Sequence, residues 1–163
     1  MISKNWLNLV LLIIVLVNKY RTMAEKKHVC LSKFDPLSFD KGASFFKIVL
    51  WYFVSSLFIR PSFIPFMRFK LFLLRLFGAR IGKGTLLKPC VIIKSPWYLT
   101  VGNDCWIGEK VWIDNIDKVC IGDNVCISQG ALLLTGNHNY RSLKFDYKNA
   151  SIILEDGVWI GAK

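Results

Sequence analysis

The sequence predicts a mainly β protein, a parallel β-helix built on a six-residue repeat and preceded by short N-terminal helices. Three observations carry this expectation. From Ile81 onward an aliphatic residue recurs every six positions, often followed by glycine, with a small residue four places on. The pattern restarts at Ile81, Val101 and Ile121, always 20 residues apart. Before it, the stretch from Ala43 to Phe77 has a different character, dense in aromatics and broken by Arg60-Pro61 and Ile64-Pro65.

The 163 residues suffice for one domain with an appendage. The expected division is an N-terminal extension over 1–42, an aromatic and basic helical segment over 43–80, and the β-helix over 81–163. Trp6 to Val17 is an apolar run between Lys4 and Lys19. As a helix it would span roughly 18 Å, short of the ~30 Å hydrocarbon core of a bilayer. It has the look of a signal-peptide core, yet no small-residue cleavage motif follows. A short anchor remains one reading. Another is translation starting at Met23, with the first 22 residues non-native.

Two helices are expected next, about 43–59 and 66–77. Proline removes a helix donor and biases its predecessor away from the α region, and Gly78 ends the second helix. The net charge of +11 is concentrated here. No acidic residue lies between Asp40 and Asp104, while Lys41, Lys47, Arg60, Arg68, Lys70, Arg75, Arg80, Lys83, Lys88 and Lys94 do. Arg68 and Arg75 share a helix face with Lys70 opposite, so the amphipathic pattern is imperfect. One reading is a helical cap packed on the following domain. The other is an interfacial patch, aromatics in the lipid boundary and cations at anionic headgroups, giving peripheral membrane contact. Nucleic acid is not expected as a partner, because base-reading motifs are absent.

The repeat itself excludes the common alternatives. An amphipathic helix needs apolar residues at i, i+3, i+4 and i+7, and a sandwich needs period-two alternation with frequent turns. Six-residue periodicity instead describes short parallel strands stacked in a solenoid, with aliphatics inside. Three hexads make a coil of 18 residues, so a 20-residue restart implies a two-residue corner insertion in each coil. The restart after Ile121 is Leu154, 33 residues on, so 13 further residues leave as a loop between Leu133 and Ser151. Asp117 is the one charged residue at a small-residue position. Trp106, Trp112 and Trp159 fall at outward positions suited to interface packing or, alternatively, to stacking on a sugar. The five cysteines form no Cys-x-x-Cys pair and read as small buried fillers in a reducing cytoplasm. No metal site is expected.

On these residues the chain resembles the colanic-acid-type O-acetyltransferases of the hexapeptide-repeat superfamily. The matching stretches are Leu71 to Gly82, Lys94-Ser-Pro-Trp-Tyr-Leu-Thr-Val-Gly102, Ile127-Ser-Gln129 and Leu134-Thr-Gly-Asn-His138. The resemblance covers roughly Ser44 to Lys163. It implies a left-handed parallel β-helix, a homotrimer with sites between subunits, acetyl-CoA as donor, and hydroxyls of sugar or glycolipid-linked acceptors. The expected setting is the cytoplasm or the inner face of the membrane.

Transfer from a thioester to a hydroxyl needs a base to take the hydroxyl proton, and histidine, with an ordinary pKa of about 6.5, suits neutral pH. Two histidines exist. His28 lies in the polar N-terminal stretch. His138 opens the long loop, where the family carries its catalytic histidine. Asn115 and Asp114 sit one coil earlier, 20 residues before Thr135 and Leu134, and resemblance makes them acceptor-binding; a corner role set by turn geometry is the alternative. Tyr140, Arg141, Lys144 and Tyr147 of the loop are further acceptor candidates. Gly161 and Ala162 are the expected coenzyme A contacts. Because the repeat runs to Lys163 in mid-coil, more coils are expected in a longer parent. A rival reading is a catalytically incomplete scaffold or remnant that binds membrane or a partner through its basic aromatic segment. The carbonic-anhydrase branch of such helices needs three zinc-binding histidines, and His138 alone cannot supply them.

Overall fold

The computed structural model describes residues 11–19, 28–36 and 38–162. Residues 11–19 form a helix, α1. The first part of the Trp6–Val17 run, and Met23, lie outside the described residues. Among the described residues, no helix is long and apolar enough to cross a membrane. The chain divides into two compact units. One comprises residues up to Asp35 together with Tyr140–Asp146, and the other Pro36–Asn139 together with Tyr147–Lys163. Within the first, the Cys30 N–H donates to the Leu143 carbonyl at 2.8 Å.

In the second unit, α2 spans Phe45–Val54 and begins at Ser44, whose hydroxyl accepts from the Lys47 N–H at 3.4 Å. A π-helical turn, Ser55–Ile59, follows. The Ser55 and Ser56 hydroxyls donate to the Tyr52 carbonyl at 3.1 and 2.7 Å, competing with the regular ladder. Pro61 cannot continue the helix, so its last carbonyls need another donor. Lys70 supplies it. Its buried Nζ donates to the carbonyls of Ile59 and Pro61 at 3.1 and 3.0 Å, and loss of hydration holds the ammonium below its usual pKa. The helix α3, Met67–Leu76, carries Lys70 on its inner face beside Leu71 and Leu74. The cation that spoils the amphipathic pattern in sequence is therefore absent from the helix's outer surface. Gly78, at φ +105°, ends the segment.

Eleven short strands follow: β1 Arg80–Ile81, β2 Leu86–Leu87, β3 Ile92–Ile93, β4 Leu99–Val101, β5 Trp106–Ile107, β6 Trp112–Asp114, β7 Val119–Ile121, β8 Cys126–Ile127, β9 Leu132–Leu134, β10 Ile152–Leu154 and β11 Trp159–Ile160. Each pairs in parallel with the strand three places on, giving sheets β1-β4-β7-β10, β2-β5-β8-β11 and β3-β6-β9. Ile81 stands on Val101, Val101 on Ile121, and Ile121 on Leu154, so the 20- and 33-residue spacings are both observed. From Arg80 to Ile160 the strands stack as a three-sided parallel β solenoid. Its core is the stack of inward residues, among them Leu87, Ile107 and Ile127 on one side and Ile93, Ile113 and Leu133 on another.

Two sides advance by six residues, and the third, from Ile93 to Val101 and from Ile113 to Ile121, advances by eight. The extra pair lies at that one corner. This explains Asp117: in the longer corner the buried place belongs to Asn115, fully shielded, while Asp117 is half-buried and accepts from the Lys118 N–H at 2.6 Å. The regular corners divide their demands. The left-handed conformation falls two residues after the glycine position, at Gly84, Cys90, Asp104, Lys110, Asn124, Gly130 and Gly157. The glycines that follow the aliphatics answer a different need, close stacking. A Cβ on Gly102 would stand 2.5 Å from the Gly122 carbonyl oxygen of the next coil. The small inward residues bind the same carbonyls. Thr85 donates to Gly102 at 2.9 Å and Cys105 to Gly122 at 3.0 Å. Cys105 is fully buried, whereas Cys90, Cys120 and Cys126 are half-buried.

The helical segment packs on the first coil through Trp51. Its indole N–H donates to the Ile93 carbonyl at 3.0 Å and its ring centroid lies 5.0 Å from that of Phe77.

Candidate active site

The third side of the solenoid carries every departure from the repeat. Lys94, Asp114 and Leu134 follow one another at 20-residue intervals at the end of β3, β6 and β9, and Asp114 is in register with Leu134. The Lys94 ammonium lies 2.7 Å from Asp114 Oδ1, and the aspartate side chain is largely shielded. This is an ion pair without an aligned hydrogen bond, because Oδ1 has no well-directed donor.

Asn115 holds the neighbouring corner. Its amide oxygen accepts from the Ser95 N–H at 3.0 Å and its amide nitrogen donates to the Ser95 carbonyl at 2.7 Å. The two bonds clamp the backbone next to Lys94. Thr135, also buried, accepts from the Asp117 N–H at 3.0 Å and donates to the Asp114 carbonyl at 3.3 Å. The residues 20 apart thus stack as their spacing implies.

The chain leaves the third coil after Leu134 and comes back at Tyr147. His138 and Tyr147 form an antiparallel bridge, and their rings stack with centroids 4.8 Å apart and planes at 31°. Asn137 braces the turn: its side chain accepts from the His138 N–H at 2.8 Å and its carbonyl from the Lys148 N–H at 2.8 Å. Phe39 packs edge-on against Tyr147, with centroids 4.4 Å apart. These contacts restrict where the half-buried imidazole can turn.

His138, Asp114, Lys94, Tyr147, Phe39, Ile116, Leu134 and Gly136 line one pocket of about 350 Å³. A second, mostly apolar groove of about 450 Å³ adjoins it, walled by Ile48, Trp51 and Tyr52 of α2 and by Ile92 and Trp112, with Lys94 and Asp114 common to both. The structure therefore brings His138 and Asp114 to one cavity. Asn115 lies behind that wall with its amide committed to Ser95. Gly161 and Ala162 follow β11, exposed, and are not among the residues lining the His138 pocket. Tyr140, Arg141 and Lys144 belong to the first compact unit. Among the described residues, no group of three potential metal ligands occurs.

The sequence reading missed Lys94 and Phe39. The 20-residue spacing from Lys94 to Asp114 was a signal for the first. Nothing local points to Phe39, which reaches the pocket from 99 residues upstream of His138.

The chain is 35% identical over 130 residues to a protein of Escherichia coli (strain K12) named as the colanic acid biosynthesis acetyltransferase WcaF, a match covering 80% of this chain and 71% of the relative. This chain belongs to the colanic-acid-type acetyltransferase family. The WcaF of Shigella flexneri matches to the same identity and coverage. No protein-family model and no solved structure matches the chain. For this family member the pocket at the break in the repeat is the candidate active site.

Proposed function

We propose that the chain is an O-acetyltransferase of exopolysaccharide biosynthesis that moves an acetyl group from acetyl-CoA to a sugar hydroxyl, with His138 as general base. The observation that carries it is the setting of His138. In a chain of this family, the solenoid histidine stands on a pocket where the regular coils are interrupted, held by a stacked tyrosine and a bridged backbone.

In the reaction, an imidazole nitrogen of His138 takes the acceptor's hydroxyl proton as the oxygen attacks the thioester carbonyl carbon. The carbon–oxygen bond forms, the carbon–sulfur bond breaks, and coenzyme A leaves as its thiol after gaining a proton. General-base assistance of this kind contributes about 10²–10⁴-fold, and orientation of the two substrates adds more. Asp114 and Lys94 offer the acceptor an anion and a cation, and Asn115 positions Lys94 through Ser95. Gly161 and Ala162 are assigned to the donor. The same reading takes the solenoid as left-handed and the working form as a homotrimer acting at the inner face of the membrane on sugar or glycolipid-linked acceptors.

The test is acetyl transfer by the protein carrying His138→Ala. A fall in turnover of at least about 100-fold is expected. Turnover close to wild type would remove His138 from the mechanism.

A further inference from the structure

The helical segment has an outward face that acetyl transfer does not use. On α2, the residues turned away from the coils are Phe45, Phe46, Val49, Leu50 and Phe53, and Phe46 is 83% exposed. No charge interrupts that arc. The helix's one cation, Lys47, is half-buried and lies 5.3 Å from the Trp97 ring centre. A water-covered helix carries polar residues on its outer face. Here the inner face is already anchored by Trp51, so the helix is apolar on both sides.

The surface continues beyond α2. Phe58 of the π turn meets Phe69 of α3, with ring centroids 5.8 Å apart. Phe72 and Leu76 extend it along α3, 56% and 65% exposed. Arg68 and Arg75 stand one heptad apart on the flank of that arc, exposed like Arg60 and Arg80, and Arg75 also donates to the Ile81 and Gly82 carbonyls. No acidic residue accompanies them in sequence between Asp40 and Asp104.

We propose that this face is a docking surface for an anionic lipid monolayer. The α2 and α3 aromatics enter the interfacial region while the rim arginines meet headgroup phosphates. Charge decides the occupant. A two-fold dimer through this face would set one arginine rim against another, since a two-fold contact pairs a surface with itself. Headgroup phosphates complement that rim, and acyl chains cover the aromatics. The helix that touches lipid is also the one whose Ile48 and Trp51 wall the groove beside the candidate active site.

The experiment is co-sedimentation of the purified chain with phosphatidylcholine vesicles, with and without phosphatidylglycerol. Binding about tenfold tighter or more is expected when phosphatidylglycerol is present. Phe46→Ser with Phe53→Ser is expected to weaken it at least about tenfold, and Arg68→Gln with Arg80→Gln to remove most of the preference for the anionic lipid. All four residues are exposed, and circular dichroism will show the variants folded. His138→Ala is expected to bind vesicles like the wild type, so failure of docking and failure of the catalytic reading remain distinguishable. Binding indifferent to both phosphatidylglycerol and the phenylalanine pair would overturn the proposal. So would an oligomer that the pair converts to monomers without any affinity for vesicles, which would make the face a contact between copies.

Discussion

Two sides of the solenoid advance by six residues and the third by eight, and chemistry gathers on the third. On the regular sides every inward place is filled by an aliphatic or a small residue, as in the Leu87–Ile107–Ile127 stack. Each coil repeats the inward positions of the last. The longer side has room for polar groups that the repeat cannot place: Asn115 clamped on Ser95, the Lys94–Asp114 pair, and the excursion carrying His138. Regular packing makes a rigid wall. The break in it makes a cavity against that wall, which is what a reacting pair of substrates needs if they are to be held in one geometry.

Several substitutions test this contrast. The largest effect is expected where function and stability separate. His138→Ala should lower turnover by two orders of magnitude or more while the melting temperature stays within about 3 °C, because a half-buried side chain is lost and no cavity is made. Loss of fold in this variant, seen by thermal denaturation, would erase the distinction between the sides. The opposite outcome is expected on a regular side. Ile107→Ala removes a fully buried side chain and should cost about 3 kcal/mol in chemical denaturation.

Smaller effects probe the corners. Asn115→Ala would leave the Ser95 N–H and carbonyl without their buried partners, for a loss of about 2 kcal/mol. If Asn115 positions Lys94, the variant should also raise KM for the acceptor while kcat changes less, measured in the same acetyl-transfer assay. Gly102→Ala should cost about 1–3 kcal/mol, because the new Cβ meets a backbone carbonyl that cannot yield without moving the next coil. Lys110→Gly should act in the other direction. Its φ of +58° is costly for a side chain, and glycine there is expected to raise stability by up to about 1 kcal/mol.

Much of this architecture was legible in the residues. The aliphatic period located all three sheets, and the restarts at Ile81, Val101, Ile121 and Leu154 set the register. The two helices fall within the bounds that Arg60-Pro61 and Gly78 suggest. The glycines after Ile81, Val101, Ile107 and Ile121 show in sequence only as part of the period; positive φ falls two residues later, and at these four places the neighbouring coil lies too close for a Cβ. Local signals misled in identifiable ways. Asp117 looked like a flaw in the repeat because the count of six was carried through an eight-residue corner. Lys70 looked like a flaw in an amphipathic helix because its partners, the carbonyls of Ile59 and Pro61, belong to a different element.

The solenoid, its coil length and the place where the chain leaves it can be read from the residues alone. Each of these depends on spacing along the chain, and spacing is what periodic burial writes into a sequence. Folding is what pairs Lys94 with Asp114, sets Asn115 in a corner, closes Tyr147 and Phe39 on His138, and turns an unbroken apolar face of α2 outward. Those facts depend on which side chains meet across long loops and between unlike elements. No period connects such residues, so only the folded chain brings them together.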